Sequence, residues 1–297
     1  MKSKIDLHIH TTCSDGSLSP REVIDEAVRL EVSCIAIADH DTVEAYHEEL
    51  IQYAHEKGIK LISAVEISTK IKKCGIHVLG YNIDVKNPTF LKELSTLRNA
   101  RQVYLKQVAK KLEALGYQVD IDKLSKLETV TKAHIAKDII TKEQNKNQLE
   151  HDFGHLPNQG EFIEAIMNEG CPAYVEKKTV TPKEAAKMIR KAGGKVVLAH
   201  PVSYRYEDNL SPQEILEIIQ EMQADGIESN YIYIDKNQQK IDESDFWNQF
   251  AQTHHLKTTI GSDFHCKDNL HPEIGLIQEN IHLSEPEIHN MLEFLEK

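Results

Sequence analysis

Short apolar runs in this chain keep ending on a residue that can bind a metal or move a proton. CIAIAD, residues 34–39, is followed by His40, and KLISAV, 60–65, by Glu66. KVVLA, 195–199, is followed by His200, and LKTTIGS, 256–262, by Asp263 and then His265. Continuous apolar runs of this length suit strands covered on both faces. Between them lie patterns of helical period. Val23, Ala27 and Leu30 share one face; Ala185, Met188, Ile189 and Ala192 another; Ile215, Ile218, Ile219 and Met222 a third. Strand alternating with helix predicts an α/β fold with a parallel sheet. If that sheet closes into a barrel, the carboxyl ends of its strands meet on one rim, where such folds do their chemistry.

The N-terminal stretch IDLHIHTTCSDGSLSP, residues 5–20, follows the same rule in concentrated form. Alternate residues of a strand point to one face, so His8 and His10 project together. Asp15 follows in the turn cluster Ser14-Asp15-Gly16. Ser19, Pro20 and Glu22 then predict a helix start: Ser19 as N-cap, Pro20 at the first position, Glu22 closing a capping box. Two imidazoles and a carboxylate on a strand, loop and helix entry suit a metal better than a core.

The 297 residues fit one barrel with an insertion. The insertion is expected at 88–178, leaving 1–87 and 179–297 to the barrel. Residues 87–116 read as one long helix, with Leu94, Leu97, Tyr104, Val108, Leu112 and Leu115 in a stripe. Arg101 falls on that stripe. It must pair, snorkel or face a polar cavity, where it would clamp a phosphate. Such an insertion serves as a cap or substrate wall, or as a stabilising appendage.

Composition excludes several roles. A net charge of −12 argues against a broad grip on duplex DNA, though not against a small phosphorylated substrate. No apolar run is long enough to cross a membrane, and MKSKIDLHIH has no apolar signal core. The five cysteines are odd in number and form no CxxC, so a reducing cytoplasm is the expected compartment. Cys13 and Cys266 read as small fillers beside ligand positions. His151 and His155 read as a solvated loop, and His254 and His255 as surface.

Taken in order, DLHIHTTCSDG, ADHDT, AVEIS, IHVLGY, VVLAHP and GSDFH resemble the motifs of the PHP (polymerase and histidinol phosphatase) family. The resemblance spans nearly the whole chain and implies a distorted (β/α)7 barrel binding two to three divalent ions. By motif position the metal ligands would be His8, His10, Asp15, His40, Glu66, His77, His200, Asp263 and His265. SDGSLSPREVIDEA, GCPAYV and GSDFH look like the subgroup that hydrolyses nucleoside 3′,5′-bisphosphates, with related members that trim short RNA from its 5′ end. Ahead of HIAK, where such proteins often carry arginine, this chain has Lys132. Lysine meets phosphate as a point charge, not as a bidentate fork.

Nine nitrogen and oxygen ligands without thiolate suit manganese first, with iron or zinc as alternatives. Two such ions, roughly 3.5–4 Å apart, supply a nucleophile and stabilise the leaving oxygen of an in-line displacement. Asp15, His40 and His200 are the candidates for the chemical step. Arg101, Lys132 and His134 are the candidates for holding a second phosphate. The expected reaction is removal of the 3′-phosphate from a nucleoside 3′,5′-bisphosphate, or cleavage of short 5′-phosphorylated RNA. Competing readings are a histidinol-phosphate phosphatase, a metal-dependent amidohydrolase, and a non-catalytic metal-binding module.

Overall fold

The computed structural model describes residues 4–235, 238–267, 272–275, 281 and 283–296. Two compact units emerge, one of Met1–Glu93 with Val180–Lys297, the other of Leu94–Thr179. The expected insertion at 88–178 begins on the same helix, but that helix's opening turns group with the first unit. There Lys191 Nζ meets Glu93 Oε1 at 3.1 Å.

The first unit runs β1 (Lys4–Ile9), α1 (Pro20–Arg29), β2 (Val32–Ile37), α2 (Glu48–Glu56), β3 (Lys60–Ile71) and β4 (Cys74–Tyr81). Helix α3 (Pro88–Ala114) leads into the second unit, which holds α4 (Ile121–Leu124), α5 (Lys132–Thr141), α6 (Lys146–Phe153) and α7 (Gln159–Phe162). The chain returns through α8 (Pro182–Lys191), β5 (Lys195–Leu198), α9 (Pro201–Glu207), α10 (Pro212–Met222) and β6 (Gly226–Asn230). A hairpin of β7 (Ile232–Ile234) and β8 (Lys240–Asp242) follows, then α11 (Ser244–Thr253), β9 (Lys257–Ile260) and a closing helix, Glu285–Glu296.

The main sheet has seven strands in the order β1-β2-β3-β4-β5-β6-β9. It curls until its two edges meet. Ile9 bridges Phe264 in parallel, and the His10 backbone N–H donates to the Phe264 carbonyl at 2.9 Å. The result is a distorted seven-stranded barrel. Its core gathers Ile5, Leu7, Ala36, Ala64, Leu79, Val197 and Ile260 from successive strands. Helix α1 starts where the sequence expects, and α1, α8 and α10 each have proline in the first turn and a complete capping box: Ser19–Glu22, Thr181–Glu184 and Ser211–Glu214. No helix among the described residues is long and apolar enough to cross a membrane.

One strand of the main sheet departs from the expected parallel pattern. β4 pairs antiparallel with both β3 and β5, because β3 and β4 form a hairpin with no helix between them. His77 therefore lies in the first half of its strand rather than at a carboxyl end. Glu66 sits inside β3, which continues to Ile71 to build that hairpin. A strand running the opposite way presents its opening residues where its neighbours present their ends, so His77 still reaches the rim.

In the second unit Leu105, Val108 and Leu112 of α3 pack with Tyr117, Ile135, Ile139, Leu149 and Phe162. Arg101 is buried and donates to the Val130 carbonyl at 3.3 Å. Lys132 Nζ donates to Asn168 Oδ1 at 2.8 Å. His134 closes the capping box of α5, its Nδ1 accepting the Thr131 N–H at 3.2 Å. His151 lies on α6 rather than in a loop, and His155 follows Gly154, which ends that helix at φ 74°. Both rings are exposed and lie beside carboxylates, Asp152 and Glu161.

Candidate metal centre

All nine expected ligand positions fall in the first unit, and their side chains converge. Three sets of donor atoms lie close enough to hold an ion each: His10, Asp15, His40 and His265; His8, His10, Glu66 and Asp263; and His40, Glu66 and His77. His10, His40 and Glu66 each belong to two sets, so the sets form one continuous cluster. His200 stands at its edge, Nε2 3.3 Å from both Glu66 Oε1 and His77 Nδ1.

Local chemistry builds each contribution. The loop after β1 folds back on itself: the Ser14 and Gly16 N–H groups both donate to the Thr11 carbonyl. Gly16 is needed there, since a Cβ would lie 2.3 Å from the His10 carbonyl oxygen. The Ser17 N–H donates to the His265 carbonyl at 2.6 Å, which joins the first loop to the last. Buried Asp39 accepts from the Thr11 N–H, the Thr11 hydroxyl and the Ser14 hydroxyl, at 2.7, 2.6 and 2.5 Å. The Asp41 N–H donates to the Glu66 carbonyl at 2.9 Å, which sets His40 beside Glu66.

The electrostatics show what the cluster can hold. The Nε2 atoms of His8 and His10 face each other at 3.2 Å. Two imidazole lone pairs at that distance need a proton or a cation between them. Burial alone would push Asp15, Glu66 and Asp263 up, yet the surrounding imidazoles outweigh it and hold all three well below the usual carboxylate range. Burial pulls His10 down, but Asp263 and Glu66 hold it at about 10. For His40 burial wins, and its imidazole is pulled down to about 4. Among the described residues, buried Asp15 Oδ1, Glu66 Oε2 and Asp263 Oδ1 accept no hydrogen bond of good geometry. Buried carboxylate oxygens that lack a well-directed hydrogen bond are costly. A cluster of imidazoles and ionised carboxylates whose free lone pairs converge fits divalent metal ions.

One member carries no sequence signal of the kind used above. Glu228 lies inside β6, fully buried, with both carboxylate oxygens near His8 Nδ1, at 3.1 and 3.2 Å. It sits in GIESN, where no long apolar run precedes it, and a lone acidic residue in a short strand does not mark a site.

A family model described as PHP domain matches residues 6–239. The chain belongs to the PHP family. Among PHP relatives, a protein named 5′-3′ exoribonuclease from Haemophilus influenzae is 32% identical over 270 residues, 89% of this chain and 91% of that one. A protein named 3′,5′-nucleoside bisphosphate phosphatase from Chromobacterium violaceum is 27% identical over 277 residues, covering 92% of this chain and 91% of the relative. A solved structure described as an amidohydrolase from Chromobacterium violaceum, with bound sulfate and no metal, has a TM-score of 0.75 at 26% identity and covers 93% of each chain. With the donor cluster, these relationships make the chain a metal-dependent PHP phosphoesterase, a hydrolytic enzyme.

Proposed function

We propose that this phosphoesterase hydrolyses the 3′-phosphate of nucleoside 3′,5′-bisphosphates, converting adenosine 3′,5′-bisphosphate to 5′-AMP and inorganic phosphate. The observation that carries the reading is near full-length similarity to two kinds of nucleotide-cutting protein. A 5′-3′ exoribonuclease that releases 5′-mononucleotides and a 3′-phosphatase acting on a bisphosphate break the same bond, between phosphorus and a 3′-oxygen. They differ only in whether the phosphorus carries a further chain. The exoribonuclease relatives support a second substrate, short 5′-phosphorylated RNA.

Two to three divalent ions, manganese first and iron or zinc as alternatives, would be held by His8, His10, Asp15, His40, Glu66, His77, His200, Asp263 and His265. When bound, such ions supply a nucleophile at neutral pH and offset charge on the phosphoryl oxygens. Three carboxylates offset only part of that positive charge, so the cluster attracts a phosphate. Asp15 and His40 line one ligand set and fix the direction of attack. The His200 Nδ1 lies 2.8 Å from the Ser203 hydroxyl, which fixes the ring and turns Nε2 toward the cluster, where it would serve as a ligand or, left unligated, would give the departing 3′-oxygen its proton. Arg101, Lys132 and His134 are assigned to the 5′-phosphate.

The test is a phosphate-release screen across adenosine 3′,5′-bisphosphate, short 5′-phosphorylated oligoribonucleotides and histidinol phosphate, with the products separated by chromatography. 5′-AMP and 5′-mononucleotides are expected. Adenosine 3′-phosphate as the main product, or a preference for histidinol phosphate, would overturn the reading.

A further inference from the structure

Glu228 is a buried carboxylate that the chemistry above does not use. It belongs to β6, yet its two oxygens serve ligands carried by two other strands. One neighbour is the His8 ring: Nδ1 lies 3.1 Å from Oε1 and 3.2 Å from Oε2. The other is the His200 backbone, whose N–H donates to Oε2 at 2.9 Å. His200 sits at φ 24°, in the left-handed region that a side chain with a Cβ rarely adopts. The chain must turn there because β5 ends at Leu198 and α9 begins at Pro201. A charge-assisted bond to that N–H offsets the strain of the turn.

The His8 contact has a chemical consequence. A carboxylate beside Nδ1 keeps the proton on Nδ1, which leaves Nε2 with its lone pair. His8 Nε2 faces His10 Nε2 at 3.2 Å, Asp263 Oδ1 at 3.4 Å and Glu66 Oε1 at 3.5 Å. The metal-facing nitrogen is thus the one that Glu228 frees. Packing enforces the pairing, for Gly261 lies against both residues. A Cβ there would be 2.3 Å from Glu228 Oε1 and 2.3 Å from His8 Cβ.

We propose that Glu228 is a positioning residue of the metal centre, which sets the tautomer and ring direction of His8 and pins the backbone turn that presents His200. Carboxylates that hold a ligating histidine typically change metal affinity by about 10–100-fold when removed. Glutamine keeps the shape but has one acceptor oxygen, and its amide would face a second N–H donor. An oxygen kept at the Oε2 position would have to serve both the His200 N–H and His8 Nδ1, while the amide at the Oε1 position would favour an Nδ1 without its proton.

The inference rests on the metal centre and not on the identity of the phosphoester, so manganese alone is the probe. Isothermal titration of manganese into chelator-treated wild type and Glu228→Gln should show affinity about 10–100-fold weaker in the variant. The variant's metal-free melting curve reports any purely structural loss. Dissociation constants within about threefold of each other would overturn the proposal. A measurement on wild type stands whether or not the variant folds. In zinc-loaded protein carrying 15N-histidine, the His8 ring should bear its proton on Nδ1 and none on Nε2. A proton on Nε2, or an unprotonated Nδ1, would overturn the proposal just as firmly. Failure of the nucleotide reading would leave both readouts unchanged.

Discussion

Glu66 Oε1 lies 3.0 Å from His77 Nδ1, across an antiparallel pair of strands. Glu66 Oε2 lies 3.0 Å from His40 Nδ1 and 3.3 Å from His10 Nε2. One carboxylate thus faces imidazoles from three strands or their loops, and it is almost wholly buried. A group so placed is the bridge of the cluster, and its neighbours are where substitutions should tell most.

Replacing His10 or Asp263 with alanine should abolish turnover and leave the fold intact. Both lie on the rim, and neither fills the apolar core. Activity on adenosine 3′,5′-bisphosphate is the measure, with circular dichroism as the folding control. A variant that keeps more than about a tenth of wild-type kcat/KM would leave less than about 1.4 kcal/mol for that ligand, which removes it from the site.

Stripping metal should cost both activity and stability. Protein purified without chelator should contain at least about two equivalents of transition metal, as a two-metal mechanism requires. Chelation should lower Tm, and added manganese should restore it, because an ion that binds only the folded state stabilises it by mass action. Binding should also release protons. His10 is held at about 10 in the metal-free cluster, so it carries a proton at neutral pH that an ion must displace. Affinity should therefore fall as pH falls. Manganese binding that releases no protons near pH 7 would count against an ion at His10.

Gly261→Ala should damage the centre from behind. The added methyl group would meet Glu228 Oε1 and His8 Cβ, each at 2.3 Å. Overpacking of this kind costs about 1–3 kcal/mol, and here the strain falls on a metal ligand. The expected result is a lower Tm together with weaker manganese binding. Wild-type values for both would mean that the neighbourhood yields more easily than its close contacts imply.

Arg101→Ala separates substrate contact from scaffold. If Arg101 holds the 5′-phosphate, kcat/KM should fall tenfold or more on adenosine 3′,5′-bisphosphate, on the order of 1.4 kcal/mol, and much less on 3′-AMP. Its bond to the Val130 carbonyl supplies the other outcome. Equal losses on the two substrates, with a drop in Tm, would show that Arg101 serves packing in the second unit.

Local sequence was enough for the features that depend on neighbours along the chain. Two histidines two residues apart on a strand must share a face, and His8 and His10 do. Serine, proline and glutamate at fixed offsets satisfy the first free N–H groups of a helix wherever it sits, so the start of α1 was legible. The long stripe of α3 was legible for the same reason. The order of motifs also identified the family, because each motif keeps its own local pattern.

Other features came only from tertiary structure. Strand direction is decided by which neighbour a strand pairs with, and nothing within IHVLGY states that β4 runs antiparallel and brings His77 to the rim from its opening half. Glu228 is one acidic residue in a short strand, and its meaning depends on His8, 220 positions away in the chain, and on the His200 backbone. The left-handed turns at His200 and Asp263 are likewise set by where the flanking segments must go, not by residue preference. Sequence determines which groups a stretch can offer and how they are spaced. Only chain closure decides which of them meet, because burial and pairing energies are settled between strands that the sequence keeps far apart.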